Sequence, residues 1–515
     1  MNPKSIEKYL YVTLSGVMLT ASFPPGKLDW LAWFALVPLL KGLERASASR
    51  AFRLGLLAGF AHYITLIYWV VVVLEHYGNI HLFVSLSILV IFCLYLSLYL
   101  ALFSYAVSYF RGSRFVLFKI ASLWVGLEYV RAKVLTGFPW CLLGYTQYQH
   151  LELIQIADLV GVYGLSFILV LSNGLIYALL FGRNFEKKGS LKWEIPVIAL
   201  IAFFTLGYSH QRLSERTRGE TDQEPAKIAI IQGNIDQSIK WHPAYQEKTI
   251  QIYRNLTRAA SSFRPDLIVW PETSVPFFFQ DNLALAYQVI QVTRESGADL
   301  IFGSPAYRKE NGLTTFYNRA FHLSPKGRIS GYYDKVHLVP FGEYVPLRRF
   351  LPFVNRLVVS TGDFAPGEKI VPLELSRLSA GILICFEIIF PELARAHVKN
   401  GADLLVNLTN DAWYGMTSAP YQHFCMAVFR AVENGRPLVR SANTGFSGFI
   451  THRGKIVDHG ELFTEEVLTQ KIGPGDSGLT VYTRYGDFFA VFLLGIGLIN
   501  FFYVLCYSKI LVRME

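Results

Sequence analysis

Between Trp270 and Glu387 a carboxylate, an ammonium and a thiol occur in order, each inside a short marked signature. The first is Trp270-Pro271-Glu272, at the end of the apolar run Leu267-Ile268-Val269. The second is Lys335-Val336-His337-Leu338-Val339-Pro340-Phe341-Gly342-Glu343-Tyr344. The third, Ile384-Cys385-Phe386-Glu387, closes the run Ala380-Gly381-Ile382-Leu383. A thiol suits acyl transfer because its thiolate is a strong nucleophile and its thioester still reacts readily with amines. A free thiol ionises near ~8.5, so reaction at neutral pH requires a base or a cation beside it. Glu272 is of the type to take the thiol proton. Lys335 is of the type to hold the thiolate and then the oxyanion of a tetrahedral intermediate, where one donor contributes ~3–4 kcal/mol. Taken singly, Cys385 reads as a core residue, Glu272 as a solvated turn carboxylate and Lys335 as a surface lysine. Their joint occurrence beside strand ends, where α/β scaffolds present reactive groups, favours chemistry.

The elements that must hold these residues alternate. Strand-like runs lie at 227–232, 267–270, 300–303, 382–384, 404–407 and 438–441, with helical stretches near 243–262, 282–297, 391–399 and 420–435. Such alternation predicts a layered α/β domain, placed at 227–486 behind a polar linker at 210–226. The flanks differ in kind. Apolar stretches at about 9–24, 30–43, 52–74, 81–109, 115–136, 159–182, 194–209 and 487–508 give an integral membrane α-helical bundle of about eight spans. Seven of them fall in 1–209 and the last in 487–515. The first two are short for a crossing, and the N-terminus reads as a retained anchor rather than a cleaved signal peptide.

Composition agrees: 52% of the 515 residues are hydrophobic and only 17% charged. The net charge of +10 raises the question of nucleic acid, and its location answers it. Residues 210–486 hold 30 Lys and Arg against 27 Asp and Glu, whereas the apolar flanks hold 18 against 11. Basic residues therefore lie chiefly beside spans, where they set orientation. With both termini in the cytoplasm, fifteen basic residues of the short segments fall inside and Lys27, Arg131 and Lys133 outside, which puts 210–486 beyond the membrane. Glu128, Arg131 and Lys133, near the outer end of the fifth span, read either as snorkelling side chains or as contacts to a lipid headgroup. Five scattered cysteines make no disulfide framework, and Cys425 reads as packing. No C-x-x-C or H-E-x-x-H motif calls for a metal, and no organic cofactor is expected.

The three signatures, in this order and inside this membrane layout, resemble the nitrilase superfamily, and the long second signature resembles its membrane branch, the apolipoprotein N-acyltransferases. The resemblance extends over nearly the whole chain. It implies an α-β-β-α sandwich at 227–486 and a Glu272–Lys335–Cys385 triad. It also implies transfer of a fatty acyl chain from a glycerophospholipid, through a thioester, to the N-terminal amine of a diacylglyceryl-cysteine on an apolipoprotein. The setting implied is a bacterial inner membrane, with the chain acting as a monomer. Two readings stand beside it: a membrane-tethered amidase, against which the spans speak, and a non-catalytic lipid- or lipoprotein-binding protein, against which the triad speaks. Glu343 either places Lys335 or shares protons beside the triad, or forms a salt bridge that only shapes the loop, and Glu387 reads as orienting the site rather than doing chemistry. Phe386 stands where the family often has Tyr, so no hydroxyl is present there. Trp241, Phe277, Phe278, Phe279, Trp413 and Tyr414 are candidates for walls around an acyl chain. Arg348, Arg349 and Arg356, set among Leu347, Phe350, Leu351, Phe353 and Leu357, predict an arm on the bilayer surface.

Overall fold

The computed structural model describes residues 3–181, 191–215, 224–344 and 364–514, with side chains described between Ile6 and Cys506 of those stretches. The chain divides into two compact units. One comprises Met1–Val71, His81–Ser214 and Tyr485–Glu515, the other Val72–Ile80 and Glu215–Arg484.

The first unit is helical. Among the described residues four helices are long and apolar enough to cross a membrane: Leu82–Phe110, Val162–Phe181, Leu191–Ser214 and Phe488–Cys506. A fifth is added if Ala48–Leu66 and the following turn to Tyr77 make one bent span. The count of about eight is thus not confirmed among the described residues, for reasons visible in the sequence of each segment. The stretch expected at 30–43 breaks into a 3-10 turn, Asp29–Trp33, and a six-residue helix, Val37–Gly42, whose first turn holds Pro38. At 1.5 Å per residue neither piece approaches ~30 Å of hydrocarbon. Helix Pro3–Ala21 carries Lys4, Glu7 and Lys8 in its opening turns, and Val116–Lys133 carries Lys119, Glu128, Arg131 and Lys133. The last group does not all reach toward water. Glu128 and Arg131 are buried; Glu128 accepts the Leu143 N–H at 2.8 Å, and Arg131 donates to the Tyr63 hydroxyl at 2.8 Å. Snorkelling is therefore corrected for these two, since helix packing gives them polar partners inside the unit. Lys133 lies 3.6 Å from Asp487.

The second unit contains two six-stranded sheets. The first comprises β1 (Ala226–Gln232), β2 (Leu267–Val269), β3 (Asp299–Glu310), β4 (Leu313–Leu323), β5 (Ile329–Asp334) and β12 (Glu466–Ile472), in the order β12-β1-β2-β3-β4-β5. The second comprises β6 (Leu373–Glu374), β7 (Ser379–Ile384), β8 (Leu404–Thr409), β9 (Leu438–Ala442), β10 (Gly448–Ile450) and β11 (Ile456–His459), in the order β11-β10-β9-β8-β7-β6. Strands β1, β2 and β3 are parallel, as are β7, β8 and β9, and antiparallel neighbours complete each sheet. Because side chains alternate across a strand, β1 feeds two cores. Ile228 and Ile230 meet Ile382, Ile384, Val406 and Leu408 of the other sheet, while Ala229 and Ile231 face Ile250, Tyr253 and Val289 on helices Pro243–Ala259 and Leu283–Ser296. Helices Pro391–Lys399 and Ala419–Asn434 pack on β7 and β9. The helix–sheet–sheet–helix layering expected from the resemblance is present.

Candidate active site

The Trp270-Pro271-Glu272 turn follows β2 and is tied to β3. The Trp270 N–H donates to the Ile301 carbonyl at 2.8 Å, and the Gly303 N–H to the Pro271 carbonyl at 3.1 Å. This approach requires glycine at 303: a Cβ there would lie 2.4 Å from the Thr273 nitrogen and 2.7 Å from Glu272 Cα. The Trp270 ring is buried against Tyr253, and its Nε1 donates to Thr257 Oγ1 at 3.0 Å, anchoring the turn from behind. Glu272 is buried; its Oε1 accepts from Asn318 Nδ2 at 2.8 Å and its Oε2 has no hydrogen-bond partner among the described residues.

Lys335 follows β5, its N–H held by the Asn318 carbonyl at 2.9 Å. Its buried Nζ lies 2.9 and 3.0 Å from the two Glu343 oxygens and 3.9 Å from Glu272 Oε1. Glu343 also accepts the Val339 N–H at 2.8 Å and a second hydrogen of Asn318 Nδ2 at 2.9 Å. Its contacts thus reach both Lys335 and the backbone of its own loop. Asn318 spans the two carboxylates with one amide group.

Cys385 follows β7 at the first residue of a 3-10 turn, Cys385–Ile389, with φ +53°, a left-handed conformation a non-glycine residue adopts at a cost of ~1–2 kcal/mol. Glu387 fixes that turn. Its carboxylate accepts the N–H groups of Ile384 (2.7 Å), Val336 (2.7 Å) and His337 (3.0 Å) and the Tyr333 hydroxyl (3.0 Å). The turn carrying the thiol and the loop carrying the ammonium are therefore fastened by one buried carboxylate.

The electrostatics follow from burial. Burial pushes the Cys385 thiol well up, Glu272 adds to this, and Lys335 opposes it. Glu272 is raised by burial, with Lys335 opposing and Glu343 reinforcing. For Lys335 burial works against the charge, but Glu343 and then Glu272 outweigh it and hold the ammonium. Burial raises Glu387 to about 7 against the hydrogen bonds it accepts. Behind the thiol, Arg440 and His423 outweigh burial and keep Asp411 ionised. Arg440 Nη2 lies 2.7 Å from Asp411 Oδ2, and His423 Nδ1 lies 3.0 Å from Asp411 Oδ1. The Thr409 hydroxyl donates to Asp411 at 3.0 Å and lies within hydrogen-bond reach of the Cys385 thiol, while His423 reaches the Cys385 backbone.

These contacts and charges gather Glu272, Lys335, Cys385 and Glu387, all buried, and the half-buried Glu343 into one constellation. The aromatic candidates scatter. Phe277 and Phe279 belong to the core behind the first sheet, so neither lines an open wall. Phe278 is half-buried against Tyr307 and Phe316. Phe386 packs on Phe390 and His337, which uses its ring and needs no hydroxyl. Trp241 is half-buried, and Tyr414 is buried close enough to feel the Cys385 charge. Trp413 is 37% exposed and takes the edge of Tyr77 at 5.3 Å. Arg348, Arg349, Arg356 and the expected surface arm lie outside the described residues. Among the described residues no cluster of His, Cys, Asp or Glu has the arrangement to hold a metal ion.

The apolipoprotein N-acyltransferase N-terminal domain model matches residues 15–175, and the carbon-nitrogen hydrolase model matches residues 227–482. An apolipoprotein N-acyltransferase from Geobacter metallireducens is 47% identical over 489 residues, covering 94% of this chain and 92% of that protein. The chain belongs to the apolipoprotein N-acyltransferase family. A relative of the same name from Haemophilus influenzae is 32% identical, covering 93% of this chain and 91% of its own length. Among solved structures, a carbon-nitrogen hydrolase from Helicobacter pylori G27 is 18% identical over 48% of this chain and 89% of that one, with a TM-score of 0.37.

Several residues of this family member were not visible as site residues in the sequence. Asn318 and Arg440 look like polar residues within strands, and Asp411 like a surface charge after one. Lys240, just before Trp241, is fully buried and donates to the Glu272 carbonyl at 3.3 Å. One of them carries a signal in the sequence: Asp411 lies shortly after the strand-like run at 404–407, as Glu272 does after 267–270.

Proposed function

We propose that this chain is the acyltransferase its family name describes, working through Cys385 in two half-reactions. Supporting this most directly is the joint burial of Glu272, Lys335 and Cys385 with Glu272 Oε2 left without a hydrogen-bond partner among the described residues. In the first half-reaction the thiol proton passes to Glu272 as Sγ attacks the ester carbonyl of a glycerophospholipid. Lys335 and backbone N–H groups such as that of Phe386 face the oxyanion, the ester C–O bond breaks, and the proton on Glu272 goes to the departing lysophospholipid hydroxyl. In the second, the α-amine of a diacylglyceryl-cysteine at an apolipoprotein N-terminus attacks the thioester. Glu272 takes the amine proton, and the thiol is regenerated. Both substrates are bulky lipids, so storing the acyl group on sulfur lets the first product leave before the acceptor enters.

In this reading the catalytic domain occupies 227–486 after the 210–226 linker. Residues 1–209 and 487–515 embed it in the bacterial inner membrane, with both termini cytoplasmic and the catalytic domain on the outer face. The distribution of basic residues supports the orientation.

The test is covalent. Purified protein given phospholipid alone should gain the mass of one fatty acyl group and release one lysophospholipid. Neutral hydroxylamine should remove that mass, and a diacylglyceryl-cysteine peptide with a free amine should discharge it. Label appearing only when donor and acceptor are both present would replace this scheme with direct transfer.

A further inference from the structure

The site contains a second lysine whose charge the acyl-transfer scheme has not used. Lys240 lies at the end of the segment after β1, and that segment is pinned across the sandwich. Asn443 Nδ2 donates to the Ile235 carbonyl at 2.8 Å, Asn443 Oδ1 accepts the Ile235 N–H at 2.9 Å, and Asn410 Nδ2 donates to Gln237 Oε1 at 2.7 Å. So held, the Lys240 side chain is fully buried, and its one acceptor among the described residues is the Glu272 carbonyl at 3.3 Å. That distance is long for a charge-assisted bond, which closes to about 2.7–2.9 Å. No carboxylate oxygen of the described residues comes within ion-pair distance. A buried ammonium without a carboxylate partner is costly, and holding a loop does not account for it.

The charge balance of the reaction does account for it. Lys335 is already shared between Glu343 and Glu272. When the S–H bond of Cys385 breaks and its proton forms an O–H bond on Glu272, the two anions facing the one Lys335 change from Glu272 and Glu343 to the thiolate and Glu343, so a negative charge moves onto sulfur. We propose that Lys240 is the second cation of this site, a positioning residue whose ammonium acts through Glu272 and Cys385 to keep the negative charge on sulfur. This rests on the acyl-transfer reading above for its purpose, though not for its test.

The titratable groups acting on Lys240 are Glu272, from the turn after β2, and Cys385, from the turn after β7; both favour its charge, and burial, the larger effect, lowers it to about 8. The ammonium is thus present near neutrality and lost above that value, which gives the inference its own signature.

The probe is iodoacetamide, with carbamidomethylation of Cys385 followed by peptide mass from pH 6 to 10 in full-length protein carrying Cys506→Ser. Lys240→Met should slow alkylation at pH 7 about tenfold, the equivalent of one pKa unit. Lys240→Gln keeps a hydrogen-bond donor without the charge and should be slowed equally. The ratio of parent to variant rate should shrink through pH 8 and approach one by pH 10, where the parent lysine is itself neutral. A ratio constant across pH, a Gln variant as fast as the parent, or no difference at pH 7 would each overturn the proposal. Thermal melts identify a misfolded Met variant, in which case the Gln variant decides alone. If alkylation follows this pattern but phospholipid never acylates Cys385, the acyl-transfer reading fails while the role of Lys240 stands.

Discussion

At Cys385 the expected division is between a thiol that reacts and one that packs. Cys385→Ala should abolish acyl-enzyme formation while the protein stays folded. Cys425→Ala, within helix Ala419–Asn434 and fully buried, should keep turnover, at a modest cost in melting temperature from the small cavity. Equal activity of the two variants would reject Cys385 as the nucleophile. Lys335→Met should be nearly inactive and leave the half-buried Glu343 without its cation, whereas Lys335→Arg should be severely impaired because a planar fork cannot replace a point charge between two carboxylates. Glu272 must be ionised to take a proton and its carboxyl is raised by burial, so turnover should fall as pH drops through that raised value. Glu272→Gln should remove this acidic limb along with nearly all turnover, as read in kcat/KM against pH. Three of these residues were legible from the chain because each sits in a signature at a strand end. Asn318 and Lys240 were not: a polar residue inside a strand and a lysine beside a tryptophan look solvated until packing buries them.

The elements around the site depend on buried polar groups that no apolar pattern announces. Glu387 links the turn after β7 to the loop after β5 by accepting four hydrogen bonds. Glu387→Gln places an NH2 group against some of those donors and should cost about 2–4 kcal/mol, a loss read in the melting temperature, together with reduced turnover from a displaced Cys385. Asp411→Asn should be as severe, about 3–5 kcal/mol, because it leaves Arg440 buried and uncompensated. Gly303→Ala tests backbone approach: with no room for a Cβ against Thr273 and Glu272, the turn after β2 must move, and acylation should fall further than stability. The strands and helices themselves were readable, since apolar runs and amphipathic stretches alternate along 227–486. The pairing of sheet orders was not, because register and strand order are set by contacts between distant segments.

For the chain as a membrane protein, hydropathy located the apolar segments, of which four described helices, or five with the bent pair, are long and apolar enough to cross. A window of apolar residues at 30–43 does not reveal that Pro38 and a 3-10 turn break it. The helix Val116–Lys133 is the segment on which orientation turns. If it crosses, alkaline phosphatase fused after Ser113 or Phe181 should be inactive, and fused after Thr136 or Glu215 active, as the basic residues require. Matching activities after Ser113 and Thr136 would show that this helix does not cross and would overturn the proposed order of spans.

The pairing of β1 with β12 sets a timetable. Ala226 is partnered by Ile472, so the first sheet cannot close until nearly the whole catalytic unit has been synthesised. At about 5–20 residues per second, the intervening chain takes roughly 12–50 s to emerge, and for that interval β1 presents an open edge of backbone donors and acceptors. A ribosome that stalls before β12 therefore leaves not a shortened enzyme but an adhesive intermediate. Quality control of nascent chains should act on this protein more heavily in the stretch before Glu466 than at any earlier point.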